Sequence, residues 1–353
     1  MASIVTAVSL MNSWARWRSE ASYGAAADAT ELQHDPVFVL GHFRTGTTFF
    51  HELLVQDPQF GFPTTFQCMS PHHFLWSQRV VPKLSSILLP KRRMMDNMDM
   101  RWDLPQEDEW GLCNLGLPSP YHYWAFPELR HESTKAFSLD EYSEADRDAW
   151  AEGMRWFLKR LNYGDPRQLV LKSPSHTARV GLILKMFPNA KFIHLVRDPV
   201  SIIPSTIKTW RQMGKACEFY SLKDKKLEQL AYTNFNEMYR AHWRDEHLIK
   251  KGQICLLRYE DLTADPIGEV RRVYDELKID GFEKARRQFE AQLARKKDYR
   301  KNRFQMKDAY RTRIQQNCHE YAERYGYAAE PNAAAPNSAM TVESKDTQAK
   351  NAG

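Results

Sequence analysis

Cysteine is scarce in this chain. Cys68, Cys113, Cys217, Cys255 and Cys318 stand far apart in 353 residues and form no C-x-x-C pair. So few in so long a chain exclude a disulfide-built scaffold, and the missing pair spacing removes zinc-ribbon and dithiol-redox chemistry. Reduced thiols packed as small apolar groups remain, which points to a cytoplasmic protein. Long apolar runs are lacking too, and none approaches the ~20 residues of a membrane helix. Residues 1–16 are weakly apolar, broken by Ser, Thr and Asn, with no basic segment in front. The expectation is neither a secretory signal nor a transmembrane segment but an N-terminal helix lying on the domain. Charge of one sign is not concentrated: the net +6 is spread along the chain. Without a dense basic patch, nucleic acid is not an expected partner, whereas small anionic ligands suit the mild positive excess. No feature specifies an oligomeric state. Core material is plentiful, with 42% hydrophobic and 12% aromatic residues, as a globular chain requires.

The most informative stretch is DPVFVLGHFRTGTTFF, residues 35–50. Val37 to Leu40 reads as a buried strand bounded by Asp35-Pro36 and Gly41. After the loop 41–48, Phe49, Phe50, Leu53 and Leu54 share one face of a helix that stops at Asp57-Pro58. Strand, glycine loop and helix make a phosphate cradle, where loop amides and the positive end of the helix dipole meet an anion. The bland alternative is a glycine turn with no ligand. A Mg²⁺-dependent P-loop nucleotidase needs Lys directly after the second Gly. Thr47 stands there instead, and the positive charge lies inside the loop at Arg44. The cradle therefore suits an anion other than a Mg²⁺-bound triphosphate.

Further strands are expected at 168–171, 191–196 and 253–258, alternating with helices over 143–164, 180–187, from Asp198-Pro199 onward, and 225–250. The alternation implies an α/β fold: a three-layer α/β/α sandwich around a central parallel sheet, P-loop NTPase-like. The organisation read from the chain is a lead-in and helix over 1–34, with 21–30 loose, a single domain over 35–327, and a disordered tail over 328–353. Residues 58–130 form a long aromatic-rich insertion without clean period. It reads either as an acceptor pocket or as a hydrophobic sub-core. Ligands of parallel sheets bind at the carboxyl ends of the strands. Arg44, Lys172, Arg197 and Tyr259 each follow a strand there, and three cations with a phenol point to a polyanion.

These segments resemble the sulfotransferases that use 3′-phosphoadenosine 5′-phosphosulfate (PAPS). The resemblance covers about residues 35–310. It rests on GHFRTGTT (41–48), LVLKSPSHT (169–177), FIHLVRDPVSIIPST (192–206), LLRYEDLTADP (256–266) and YRKNRF (299–304). The loop and strand-end texture is closest to the branch similar to bacterial, carbohydrate and tyrosyl-protein sulfotransferases. It implies that Arg44, Thr45, Gly46, Thr47 and Thr48 hold the 5′-phosphate and sulfate. It further implies that Lys172 neutralises the leaving group, Arg197 and Ser205 clamp the 3′-phosphate, and Tyr259 lies by the adenine. Arg300, Lys301 and Asn302 either reach the 3′-phosphate or form a solvated helix face. The reaction implied is transfer of the sulfuryl group from PAPS to a hydroxyl or amine of an acceptor, a small molecule or carbohydrate, with no metal. A sulfuryl group carries less charge than a phosphoryl group, so fixed amides and cations can serve without Mg²⁺.

Two departures stand out. Pro204 precedes Ser205 inside an expected helix, so the helix is either kinked there or starts later. The family's cytosolic members carry a His where Pro174 stands, and the Glu of the protein-tyrosine branch has no counterpart in 62–68. The candidate bases are Glu107, in the Glu107-Asp108-Glu109 cluster, and then His176. Their bland readings are a solvated loop and a capping or core histidine. Rival functions are a P-loop phosphotransferase and a non-catalytic nucleotide-binding module.

Overall fold

The computed structural model describes residues 2–86, 89, 99–124, 126, 132–217, 224–295 and 307–328. Five parallel strands form the sheet: β1 (Val37–Leu40), β2 (Phe60–Gly61), β3 (Gln168–Lys172), β4 (Lys191–Val196) and β5 (Ile254–Arg258). Their order is β2-β3-β1-β4-β5. β1 lies centrally, pairing Val37 with Val170 on one side and with Lys191 on the other. Both faces of β1 are covered, because a strand turns alternate side chains to opposite faces. Val37 and Val39 pack with Phe50 and Leu53 of the helix Thr47–Leu54, and with Val270 and Phe289 of later helices. Phe38 and Leu40 pack on the other face with Trp150, Met154 and Phe157 of the helix Glu144–Gly164. The expected three-layer α/β/α sandwich is therefore present, and the continuous apolar run VFVL is the mark of a strand buried on both sides.

Three expectations need correction. Residues 21–28 are helical, not loose: the helix Ala2–Ser19 runs on through Glu20–Gly24 and Ala25–Asp28. Alanine carries little entropic penalty in a helix. The segment is also anchored, since the buried Arg160 guanidinium binds Glu20 at 3.1 Å and Asp28 at 2.8 Å. The described part of the insertion holds the short helices Thr65–Met69, Phe74–Ser77, Val81–Ser85 and Asp108–Asn114. Each is too brief to leave a periodic signature in the sequence. Of its two readings, the sub-core applies to Phe66, Phe74 and Leu112, buried against Phe38 and Leu40. Third, the helix Pro199–Cys217 starts where expected and continues through Pro204. Proline there forfeits one backbone bond, to the Val200 carbonyl. The flanking turns are fixed by Asp198, whose Oδ1 accepts from the Val200 amide at 2.8 Å, and by buried Ile202, Ile203 and Ile207. Arg300, Lys301 and Asn302 lie outside the described residues, as does the tail beyond Ala328.

Candidate active site

The strand order sets the site. β3, β1, β4 and β5 are neighbours, so their carboxyl ends bring Lys172, the 41–46 loop, Arg197 and Tyr259 side by side. Within the loop Arg44 adopts φ 70° and Gly46 φ 99°. Left-handed backbone at a non-glycine residue is a strained state that a site must hold in place. Gly46 is required on two counts. Its φ is unfavourable for L side chains, and a Cβ there would lie 2.4 Å from Cδ2 of Tyr259. The Tyr259 ring thus seats directly on the loop. Buried contacts brace the rest: the Gly41 amide donates to Thr177 Oγ1 at 2.8 Å, and Thr45 Oγ1 to the His42 carbonyl at 2.7 Å. The Thr47 and Thr48 amides open the helix 47–54, where no intrahelical acceptor reaches them, so the helix's positive end faces the cradle.

On the β4 side the two arginines meet. Arg44 Nε donates to Ser205 Oγ at 2.9 Å, and an Arg197 Nη donates to the Arg44 carbonyl at 3.0 Å. The Arg197 guanidinium stacks 4.1 Å from the Tyr259 ring centroid, a cation–π contact. Beyond them an open cleft of about 510 Å³ is lined by Arg197, Ser201, Tyr259, Glu260, Thr263 and Tyr327, among others. Ser201 and Tyr327 were not read from the sequence.

On the β3 side three consecutive acids of the insertion meet three partners following the strand. Lys172 Nζ lies 2.6 Å from Glu107 Oε1 and 3.4 Å from Thr48 Oγ1. The Tyr121 hydroxyl donates to the other Glu107 oxygen. Burial and the neighbouring Glu107 carboxylate push the Tyr121 hydroxyl well above its ordinary pKa, so it remains a donor. Tyr121 is a residue that sequence reasoning missed, one aromatic among many in the insertion. Asp108 accepts from Ser173 Oγ at 2.8 Å and pairs with His176 Nε2 at 2.6 Å. Burial raises the Asp108 pKa, but the charge and hydrogen bond of His176, with help from Ser173, outweigh it and hold the carboxyl below its usual value. Glu109 binds Arg179 at 2.7 and 3.2 Å and Ser175 at 2.7 Å. His176 is completely buried, edge-on to Phe38. Its Nε2 is taken up by Asp108, and the ring is shut off from solvent.

Next to the loop, Phe43 lines a small cavity with Pro120, Phe137, Trp210, Leu230 and Asn234. It adjoins Tyr121, whose ring centroid is 6.4 Å from that of Phe43. Among the described residues, no three His, Cys, Asp or Glu side chains gather as metal ligands do.

A glycine loop at the carboxyl edge of a parallel sheet, with cations on both sides and a carboxylate beside one of them, suits a group-transfer enzyme. A family model described as "Sulfotransferase family" matches residues 36–284, and the chain belongs to that family. It is a transferase that moves a sulfuryl group to an acceptor. Among its relatives, omega-hydroxy-beta-dihydromenaquinone-9 sulfotransferase Stf3 of Mycobacterium bovis and of Mycobacterium tuberculosis is 33% identical over 324 residues, 92% of this chain and 83% of theirs. The crystal structure of sulfotransferase STF9 from Mycobacterium avium superposes with a TM-score of 0.70 at 22% identity, covering 88% of this chain and 81% of that one. STF1 from Mycobacterium tuberculosis gives 0.65 at 17% identity with the same coverage. Both likenesses establish the shared fold.

Proposed function

We propose that the protein transfers the sulfuryl group of PAPS to a hydroxyl of an apolar, lipid-like small molecule, with residues 35–327 acting as one catalytic domain in the cytoplasm. The observation that carries the reading is that Lys172, beside Thr48, and Arg44, bonded to both Ser205 and Arg197, border the loop on its two sides. This arrangement suits a ligand with anionic groups at two places. The loop 44–48 would hold the 5′-phosphosulfate, Arg197 and Ser205 the 3′-phosphate, and the Tyr259 side of the cleft the adenosine. Family membership supports the donor. The acceptor class draws on the 33% identical relatives, which are named for an ω-hydroxylated menaquinone derivative, and on the apolar cavity beside Phe43.

Glu107 is assigned as the base and Lys172 as the group that meets the leaving oxygen. The acceptor oxygen forms a bond to sulfur while the sulfur–oxygen bond to the 5′-phosphate breaks. The hydroxyl proton passes to Glu107, and the negative charge left on the phosphate oxygen is taken up by Lys172 and the loop amides. Before the donor binds, Lys172 and Glu107 satisfy each other at 2.6 Å. An incoming anion competes for the ammonium and leaves a carboxylate still oriented by Tyr121. His176 takes no proton here, because its Nε2 is committed to Asp108 in a sealed layer.

Replacing Arg197 tests the reading. Arg197→Ala weakens binding of the 3′,5′-bisphosphate nucleotide by about tenfold to a hundredfold, as expected for a charge-assisted contact. Calorimetry with the analogue lacking the 3′-phosphate then shows little change. Equal losses for both nucleotides would remove Arg197 from this role.

A further inference from the structure

The helix Ala2–Ser19 is built the wrong way round for water. Ala15 and Ser19 are buried against the protein. The other side carries Leu10, Met11, Trp14 and Trp17, at i, i+1, i+4 and i+7, exposed by 67, 69, 53 and 61%. A solvated surface helix turns its apolar stripe inward and its polar residues outward. A second exposed apolar group lies on the helix Val81–Ser85 and the residue before it, with Val80 56% and Leu84 75% exposed. Helix 2–19 packs on the helix Phe74–Ser77, which leads into this group. The rings of Trp14 and Trp76 meet edge-on at 5.0 Å, and the charge of Arg16, after burial, helps lower the pKa of His72. Single exposed apolar residues are ordinary, but a clustered group marks an interaction site.

Within residues 1–19 and 58–86 the charge is of one sign. Arg16, Arg18, Arg79 and Lys83 are exposed, and neither 1–19 nor 58–86 contains an Asp or Glu. Self-association through a two-fold axis would set these four cations against the same four of another copy. An anionic partner is the complement. Tryptophans beside arginines on an apolar helix face match the polar–apolar boundary of a bilayer. Among the described residues no helix is long and apolar enough to cross a membrane, so the helix would lie along the surface.

We propose that the outer face of helix 2–19, with Val80, Lys83 and Leu84, docks the protein on an anionic phospholipid bilayer. The surface stands apart from the transfer chemistry, although it would bring the enzyme to a membrane-dissolved acceptor. The test is sedimentation of the full chain with phosphatidylcholine vesicles, with and without phosphatidylglycerol. The readout needs neither donor nor acceptor, so its failure leaves the sulfuryl-transfer reading intact. The expected result is binding to the mixed vesicles, weakening as salt screens the cations. The triple variant Leu10→Ser/Trp17→Ser/Leu84→Ser loses about tenfold or more of that binding, with an unchanged melting curve because all three side chains face out. Arg18→Glu/Lys83→Glu loses the preference for phosphatidylglycerol. Wild-type protein that ignores both vesicles overturns the proposal, as does a triple variant that binds like wild type. A dimer that the triple variant dissolves, without vesicle binding, would overturn it and give the face to a second copy.

Discussion

Glu107 meets Lys172, Asp108 meets His176, and Glu109 meets Arg179. The three pairs join the same two segments, yet their surroundings differ sharply. The Glu107 side chain keeps 15% of its exposure, against 1% for Asp108 and none for Glu109. The cause is local. Glu107 sits in extended backbone just before the helix Asp108–Asn114, while the other two acids lie in its first turn, where the dipole favours carboxylates. The helix start therefore sends one acid toward the cradle and two into the protein. Buried pairs are weak contributors to net stability, but breaking one leaves an uncompensated charge. Their use here is register: they fasten the insertion to the end of β3 and so fix where Glu107 points.

The widest separation between the outer and inner pairs comes from neutralising the outer acid. Glu107→Gln lowers kcat by about 10²- to 10⁴-fold and costs less stability than losing an inner acid, because the amide oxygen can still accept from Lys172 and the site is partly open. A drop in melting temperature without loss of turnover would make Glu107 an inner-type residue after all. Next comes Glu109→Ala, which strands the Arg179 guanidinium in the interior. It costs about 3–5 kcal/mol of stability, read from denaturant unfolding, while any protein that remains folded retains its kcat. A fall in kcat with stability intact would break the distinction from the other side.

A third comparison is a pH dependence that divides the buried groups. Burial lowers His42 to about 4 and, with the nearby Lys172 ammonium, His51 to about 3. It lowers His242 to about 4, and His194 well below its usual value. Each binds a proton more readily unfolded than folded, so stability rises with pH and is complete above about 6.5. It declines as pH falls from there toward 4. Asp108, held below its ordinary value, contributes a further loss only below about 3.9. Urea midpoints at several pH values should show both stages, and Asp108→Asn should shrink the lower one. A flat profile between pH 6.5 and 4.5 would contradict the burial of these histidines.

Much of the loop and strand-end cluster was legible because its signals are local. VFVL marks β1 within four residues, the spacing of two glycines marks the loop, and Arg44, Lys172, Arg197 and Tyr259 each stand one step beyond a readable strand or glycine. The eight-residue interval from Arg197 to Ser205 survives the intervening proline, since the buried isoleucines of that helix hold its turns. The side formed with the insertion was much less legible. Glu107 and Lys172 are 65 residues apart, and nothing in either segment names the other. Tyr121 is indistinguishable from its aromatic neighbours until the fold sets it against Glu107. His176 looks like a usable base in sequence and proves to be sealed.

By itself, then, the sequence determined the alternation of strand and helix, the glycine loop after β1 and which charged residues stand at strand ends. These follow from hydrophobic period and backbone demands that act over a few residues. Tertiary structure alone decided which of three adjacent acids faces the cradle, which histidine is shut away, and that a helix of the N-terminal segment turns its tryptophans outward. Those outcomes depend on what packs against each residue from elsewhere in the chain, and burial and pairing at a distance leave no local mark.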